Sequence, residues 1–135
     1  MIALVVFAHG SKVEAANEAV RSVASRVQTR SGYVSEAAFL EIAEPDLAHA
    51  VESLAGRGAT RIVVLPYFLA PGRHAERDLP RLLENIRERL RGIHSNVRID
   101  AAANLDGHPA LAGMLIDRAT AVLEGDSESS PDRDR

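Results

Sequence analysis

The feature that most constrains this chain is an alternation, repeated along its length, between short apolar runs and longer segments with helical spacing. The first run is IALVVFA at residues 2–8, and the segment after it places Val13, Ala16, Val20 and Val23 three or four residues apart. A continuous run rich in β-branched residues is typical of a strand buried on both faces, and the wider spacing is typical of an amphipathic helix. The sequence therefore predicts a strand, a loop and a helix as its first unit.

The same unit recurs along the rest of the chain. Further strands are predicted at residues 33–41, 61–68 and 96–104, and further helices at residues 44–58, 81–92 and 108–124. Pro45 and Pro109 suit the first turns of their helices, because a first-turn proline loses no helical hydrogen bond. Asp78 and Pro80 suit the N-cap and the first turn of the third helix, with residues 73–79 open to form one more turn before it.

Four βα units in succession predict a parallel sheet, because parallel neighbours need a crossover helix and right-handed crossovers place helices on both faces. The expected fold is α/β, a small flavodoxin-like three-layer sandwich with a four-stranded parallel sheet. We expect one domain over residues 1–123. Ligands of open α/β sheets bind beyond the carboxyl ends of the strands. The loops that follow the strands should therefore share one functional rim.

Charge and composition exclude several classes of function. The formal charge is −3, and the tail at residues 124–135 accounts for it with five acids and two arginines, so the rest of the chain is balanced. A balanced body argues against a nucleic-acid partner, and the polar tail is predicted to be disordered. The first apolar run is too short for a membrane span and no basic segment precedes it, so we expect a cytoplasmic protein. Because the chain has no cysteine, any metal must be held by His, Asp, Glu or backbone groups.

Two histidines fall in these loops. His9 follows the first predicted strand and His74 lies in the loop after the third, and these two strands are normally neighbours in a doubly wound sheet. Imidazole binds divalent iron, cobalt, nickel and zinc, and it can also accept a proton near neutral pH. The alternative for His9 is a residue that merely caps a turn with Gly10.

Charged residues accompany the histidines. Glu41 ends the second predicted strand and would add a carboxylate to the rim, although an exposed strand-end acid is an equally ordinary role. Lys12, Arg73 and Arg77 lie in the same loops, either as a solvated surface or as partners of an anionic ligand. Glu44 is better placed to complement the dipole of the following helix. Their occurrence beside the histidine pair favours an anionic ligand.

Two enzyme classes with similar local patterns do not fit. A strand followed by His-Gly occurs in α/β-hydrolases, but the chain has no G-x-S-x-G nucleophile motif. Histidine phosphatases would need an arginine immediately before the histidine, where this chain has Ala8. Neither class is therefore expected.

Three stretches in order, VVFAHGSK followed by Asn17, FLEIAEPDL, and RIVVLPYFLAPGRHAERDLP, resemble the sirohydrochlorin chelatases, the class II chelatases that insert cobalt or ferrous iron into sirohydrochlorin. The resemblance covers about residues 2–123. It implies that His9 and His74 are the paired metal-binding and catalytic histidines and that Glu41 is the accompanying acid, with a His or Glu41 accepting the pyrrole protons. Lys12 stands where many relatives have arginine.

The resemblance also implies the reaction and its partners. The substrates would be a sirohydrochlorin-type tetrapyrrole and a divalent metal, cobalt or iron, with no organic cofactor, on the way to cobalamin or sirohaem. Lys12, Arg73 and Arg77 are the candidates for the tetrapyrrole's carboxylates. Because long relatives carry two such lobes and this chain supplies one, we expect a homodimer. A non-catalytic metal or tetrapyrrole carrier would use the same histidines, and the sequence does not choose between cobalt and iron.

Overall fold

Strands and helices alternate throughout the computed structural model, which describes residues 1–69 and 73–127, with only the backbone described at residues 73–77, 126 and 127. The elements in chain order are β1 (Ile2–Ala8), α1 (Glu14–Ser31), β2 (Val34–Phe39), α2 (Leu47–Gly56), β3 (Arg61–Pro66), α3 (Arg73–Leu90), β4 (Arg98–Ala101) and α4 (Ala110–Ser127). Residues 70–72 and 128–135 are not described, so most of the predicted disordered tail, residues 124–135, lies outside the described residues.

The strands form one parallel sheet in the order β2-β1-β3-β4. β1 pairs on one side with β2, from Ala3 opposite Val34, and on the other with β3, from Ile2 opposite Arg61. This order follows the flavodoxin-like pattern, in which the chain first adds a strand to one side of β1 and then continues on the other side. The predicted α/β fold and its parallel sheet are confirmed. The resulting switch point lies between the carboxyl ends of β1 and β3.

Both faces of the sheet are covered by helices. Because side chains alternate along a strand, Ala3, Val5 and Phe7 point into a core shared with α2 and α3, whereas Val6 and Ala8 point into a core shared with α1. Val5 and Phe7 are at most 1% exposed. The continuous apolar run of β1 is therefore explained by burial on both faces, as expected for a central parallel strand.

The third helix includes the additional turn that the sequence left open at residues 73–79. Asp78 and Pro80 suit an N-cap and a first turn, but α3 runs without interruption from Arg73, and Pro80 is its eighth residue. An interior proline removes one backbone hydrogen bond. The helix continues through it because Leu79 and Leu82 pack on the same core as Leu83 and Ile86 further along. Tertiary packing thus outweighs the local signal for a helix start at Asp78 and Pro80.

The observed ends of two other helices differ by a few residues from the predicted ends. The structure begins α2 at Leu47, two residues after Pro45, because Asp46 is its N-cap and accepts the His49 N–H at 2.8 Å. The Pro45 carbonyl instead accepts the Phe39 N–H at 2.9 Å, on the outer edge of β2. The fourth helix continues to Ser127, past its predicted end at residue 124, so the prediction that the tail is disordered from residue 124 is wrong for residues 124–127.

The chain divides into two compact units, Met1–Asn104 and Leu105–Arg135. The first contains the whole sheet with α1, α2 and α3, and the second contains α4 and the turn before it. In that turn, the Ala110 N–H donates to Nδ1 of His108 at 2.9 Å, so His108 serves the start of α4. Among the described residues, no helix is long and apolar enough to cross a membrane.

Candidate active site

His9 lies directly after β1, beside the switch point, and its side chain is exposed. Its ring packs edge-on against Phe68, with 4.7 Å between the ring centroids and an interplanar angle of 63°. Phe68 is only 7% exposed and contacts Phe7 in the core. The imidazole therefore stands on a buried aromatic support while remaining open to solvent.

A buried amide holds the loop after His9. The Asn17 side chain is 2% exposed; its Oδ1 accepts the Ser11 N–H at 2.9 Å, and its Nδ2 donates to the Ser11 carbonyl at 2.8 Å. A buried polar side chain with both ends bonded is costly to displace, because each group would lose its partner. Asn17 thus fixes the backbone two residues after His9. The sequence marked Asn17 as part of a motif but did not predict this role.

Glu41 is joined to His9 through the backbone. The Glu41 N–H donates to the His9 carbonyl at 3.1 Å, one step beyond the Leu40 N–H, which donates to the Ala8 carbonyl at 2.8 Å. Gly10 has a φ of 92° and packs so closely that a Cβ there would lie 1.9 Å from the Glu41 carbonyl oxygen. Only glycine combines this conformation with this approach. The Glu41 side chain itself is exposed.

The chain turns sharply after Glu41. The Ala43 N–H donates back to the Glu41 carbonyl at 2.8 Å, and Ile42 between them has a φ of 71°. Beside this turn lies an open pocket of about 520 Å³, lined by residues 40–46 and His49. The pocket is rich in carboxylates, from Glu41, Glu44 and Asp46.

The loop after β3 forms the other side of the switch point. The Tyr67 N–H donates to the Phe7 carbonyl at 2.8 Å, which extends the pairing of β1 and β3. The Phe68 N–H donates to Oδ1 of Asn104 at 3.1 Å, so a side chain beyond β4 fixes the residue that supports His9. Sequence reasoning missed Asn104, and its place in the loop after the fourth strand was the available signal.

Arg21 ties α1 to the loop after β2. Its guanidinium pairs with Glu14 and Glu18 at 2.6 Å, donates to the Glu44 carbonyl at 3.2 Å, and lies 5.3 Å from the centre of the Phe39 ring. The hydrogen bond from Arg21, and next that from Asn17, lowers the pKa of Glu14. The same carboxylates raise the pKa of Arg21, led by Glu14. Glu14 and Arg21 therefore stay charged, and Arg21 links α1 to the loop after β2.

The remaining predicted site residues are described to different extents in the structure. Lys12 is exposed in the His9 loop, and its ammonium forms no ion pair with the described part of the chain. Arg73, His74 and Arg77 occupy the first turns of α3, but their side chains lie outside the described residues. Among the described side chains, no three His, Asp or Glu residues group as a metal site. The pairing of His9 with His74 stays a prediction.

Comparison with known proteins identifies the family of this chain. Residues 3–122 match the CbiX family, which is most of the chain and includes every loop described above. The chain belongs to the CbiX family. A solved CbiX protein from Marinobacter aquaeolei VT8 has a TM-score of 0.77 at 30% identity, covering 96% of this chain and 99% of that one.

Relatives of this CbiX chain have chelatase names. Sirohydrochlorin cobaltochelatase from Methanococcus maripaludis is 37% identical over 62% of the chain and 58% of the relative. The chloroplastic sirohydrochlorin ferrochelatase of Arabidopsis thaliana is 31% identical over 93% of the chain. The matches span 58% of the Methanococcus protein and 56% of the plant protein, so this chain matches little more than half the length of either relative.

A second solved structure supports the fold. The sirohydrochlorin chelatase SirB from Bacillus subtilis subspecies spizizenii, in complex with cobalt, has a TM-score of 0.75 at 24% identity. The match covers 89% of this CbiX chain and 50% of the SirB chain. At this identity the likeness concerns the backbone architecture alone.

Proposed function

We propose that this CbiX protein is a chelatase that inserts a divalent metal, cobalt or ferrous iron, into sirohydrochlorin. The observation that carries the proposal is the placement of His9, exposed at the sheet's switch point on a buried Phe68 support and joined to Glu41 by a backbone hydrogen bond. Membership of the CbiX family and the chelatase names of the relatives support it.

The proposed reaction at the rim exchanges one metal ion for two protons of the macrocycle. One divalent cation enters the macrocycle and two pyrrole N–H protons leave, so charge is conserved without any redox step. The neutral imidazole of His9 binds the incoming metal together with His74, because only an unprotonated ring nitrogen can coordinate. The carboxylate of Glu41, or a histidine, accepts the protons.

The hydrogen bonds of the rim would also hold the metal-binding side chain of His9 in a fixed position. Asn17 fixes the backbone after His9 and Asn104 fixes Phe68 below it, so the imidazole does not have to be ordered when substrate arrives. Positioning of reacting groups in advance removes an entropic cost from the reaction. Lys12, Arg73 and Arg77 are assigned to the carboxylates of the tetrapyrrole, with Lys12 as an exposed cation in the His9 loop.

A second copy of the chain is proposed to supply the facing half of the site. The rim described here is open, with His9, Glu41 and Lys12 all exposed. The SirB chain, of which this chain covers 50%, is long enough for two such lobes. Two rims facing each other would enclose a macrocycle that one rim leaves exposed to water.

The test is an anaerobic insertion assay with sirohydrochlorin and Co²⁺ or Fe²⁺. The change in absorbance of the macrocycle measures the insertion rate. The protein should accelerate insertion over many turnovers at substoichiometric concentration. His9→Ala should lower the rate by at least about 100-fold, the usual contribution of a positioned catalytic group. Circular dichroism should show an unchanged fold.

His94→Ala is the matched control. His94 lies in the turn between α3 and β4, at the opposite edge of the sheet from His9. Its removal should leave the insertion rate unchanged. Stoichiometric binding of metal or tetrapyrrole without turnover would contradict the chelatase proposal and identify a carrier instead.

A further inference from the structure

Ile42 lies at the centre of a turn that its residue type disfavours. The hydrogen bond from the Ala43 N–H to the Glu41 carbonyl closes a three-residue γ-turn, and the φ of 71° at Ile42 makes it the rare, strained form. A β-branched residue at positive φ is an outlier, because its side chain crowds the backbone. Glycine or asparagine would fit this position with less strain.

The surrounding backbone enforces the turn. The Glu41 N–H is bonded to the His9 carbonyl, and Gly10 packs directly against the carbonyl oxygen of Glu41. The turn is therefore a rigid extension of the His9 loop. Its tip presents the Ile42 side chain, which is 59% exposed.

Burial does not explain why isoleucine occupies this position. An exposed isoleucine is not unusual by itself, since Ile93 is 75% exposed at the opposite edge of the sheet. Ile42 differs because it combines exposure with backbone strain and follows Glu41, whose N–H donates to the His9 carbonyl. Strained residues of this kind persist where the surrounding structure holds them and where they serve a site.

Other large apolar side chains are exposed on the same rim. Val13 follows His9 in the loop after β1 and is 63% exposed, and Leu69 follows Phe68 in the loop after β3 and is 70% exposed. Together with Ile42, they lie beyond the carboxyl ends of three adjacent strands. The flat, conjugated face of a tetrapyrrole is an apolar surface that such side chains could cover, while its carboxylates reach the cations.

We propose that Ile42 is a positioning residue that contacts the apolar face of the tetrapyrrole and holds the macrocycle against His9. The inference rests on the proposed chelatase function and adds a contact that the paired histidines do not provide. Burying the exposed part of an isoleucine side chain corresponds to about a tenfold change in affinity. The strain at Ile42 is then maintained for binding rather than for folding.

Three variants separate binding from folding. Ile42→Asn tolerates positive φ but removes the apolar surface, so it should raise the melting temperature while weakening sirohydrochlorin binding about tenfold. Ile42→Leu keeps the apolar surface without β-branching, so it should bind like the wild type. Ile93→Asn makes the same chemical change at the opposite edge and should leave binding unchanged.

The measurements are an anaerobic titration with metal-free sirohydrochlorin, thermal unfolding without ligand, and steady-state insertion kinetics. For Ile42→Asn we expect a higher KM with a smaller change in kcat, because the contact is made equally before and during metal insertion. Direct binding of Co²⁺ in the absence of tetrapyrrole should not change.

Several results would overturn the inference. Wild-type affinity in Ile42→Asn would show that the side chain does not contact the macrocycle, and a lower melting temperature would show that it stabilises the fold instead. A shift to monomer with unchanged affinity would assign Ile42 to a contact with a second copy. These outcomes leave insertion by the wild type intact; failure of the wild type to bind or metallate sirohydrochlorin would instead refute the proposed function, and this inference with it.

Discussion

Gly10 is the position at which one added methyl group should most disturb the rim. A Cβ there would lie 1.9 Å from the Glu41 carbonyl oxygen, and the φ of 92° disfavours any L side chain. Because the obstructing atom is backbone, it cannot rotate away. We expect Gly10→Ala to lower the free energy of unfolding by about 3 kcal/mol or more, from overpacking and positive φ together, and to slow metal insertion.

The Gly32→Ala variant separates the cost of positive φ from the cost of overpacking. Gly32 ends α1 with a φ of 80°, but a Cβ there would meet nothing within 4 Å. Its substitution should cost about 1–2 kcal/mol, from the backbone conformation alone, and leave insertion unchanged. Urea denaturation of both variants measures the difference. Equal losses would mean that the close approach of Gly10 to Glu41 does not constrain the fold.

His9 and His74 are expected to act as one unit. If both bind the same metal, either alanine substitution removes most of the insertion rate, and the double variant loses little more than the worse single one. The measurement is the anaerobic rate of each variant with saturating metal. Multiplicative losses would show independent roles, and near-normal rates in His74→Ala would remove that residue from the site.

At the scale of elements, Asp46 determines where α2 begins. Its carboxylate accepts the His49 N–H at 2.8 Å and the His49 Nδ1 lies 2.6 Å from the same oxygen. Removing an N-cap costs about 1 kcal/mol, so Asp46→Ala should lower stability by about that amount at neutral pH. Asp46→Asn, which keeps an oxygen acceptor, should cost less. Chemical denaturation of the three proteins measures both changes.

The charge of Asp46 adds a pH dependence with a defined sign. The hydrogen bond from the His49 backbone, followed by that from its side chain, lowers the pKa of Asp46 below its ordinary value of 3.8. A lowered pKa contributes stability that is present above the unfolded value and is lost as pH falls through the folded value. The deficit of Asp46→Asn should therefore shrink between about pH 5 and about pH 3. A constant deficit would exclude a contribution from the charge.

At the scale of the whole molecule, the proposed homodimer can be tested without substrate. Light scattering at micromolar protein concentration should give twice the mass of the 14.5 kDa chain. Facing rims would exclude water from the macrocycle and strengthen the electrostatic interactions with its carboxylates. A monomer with full insertion activity would contradict the facing-rim arrangement.

The fold could largely be predicted from the chain because its signals are local. The apolar run of β1 and the helical spacing of α1 lie within adjacent residues, and the succession of such units requires crossovers and a parallel sheet. The placement of His9 and Glu41 on one rim follows from the same logic, since parallel strands end at the same edge.

Sequence patterns thus determined the elements, their order and the loops that carry the candidate site. Only the tertiary structure decided features that depend on partners distant in the chain. Packing of Leu79 and Leu82 on the core continues α3 through Pro80, and Asn104 fixes Phe68 from a position 36 residues away. The strained turn at Ile42 exists because β2 ends beside Gly10, whose missing side chain admits the Glu41 carbonyl. Such contacts arise from the pairing of strands in space, which local propensity does not encode.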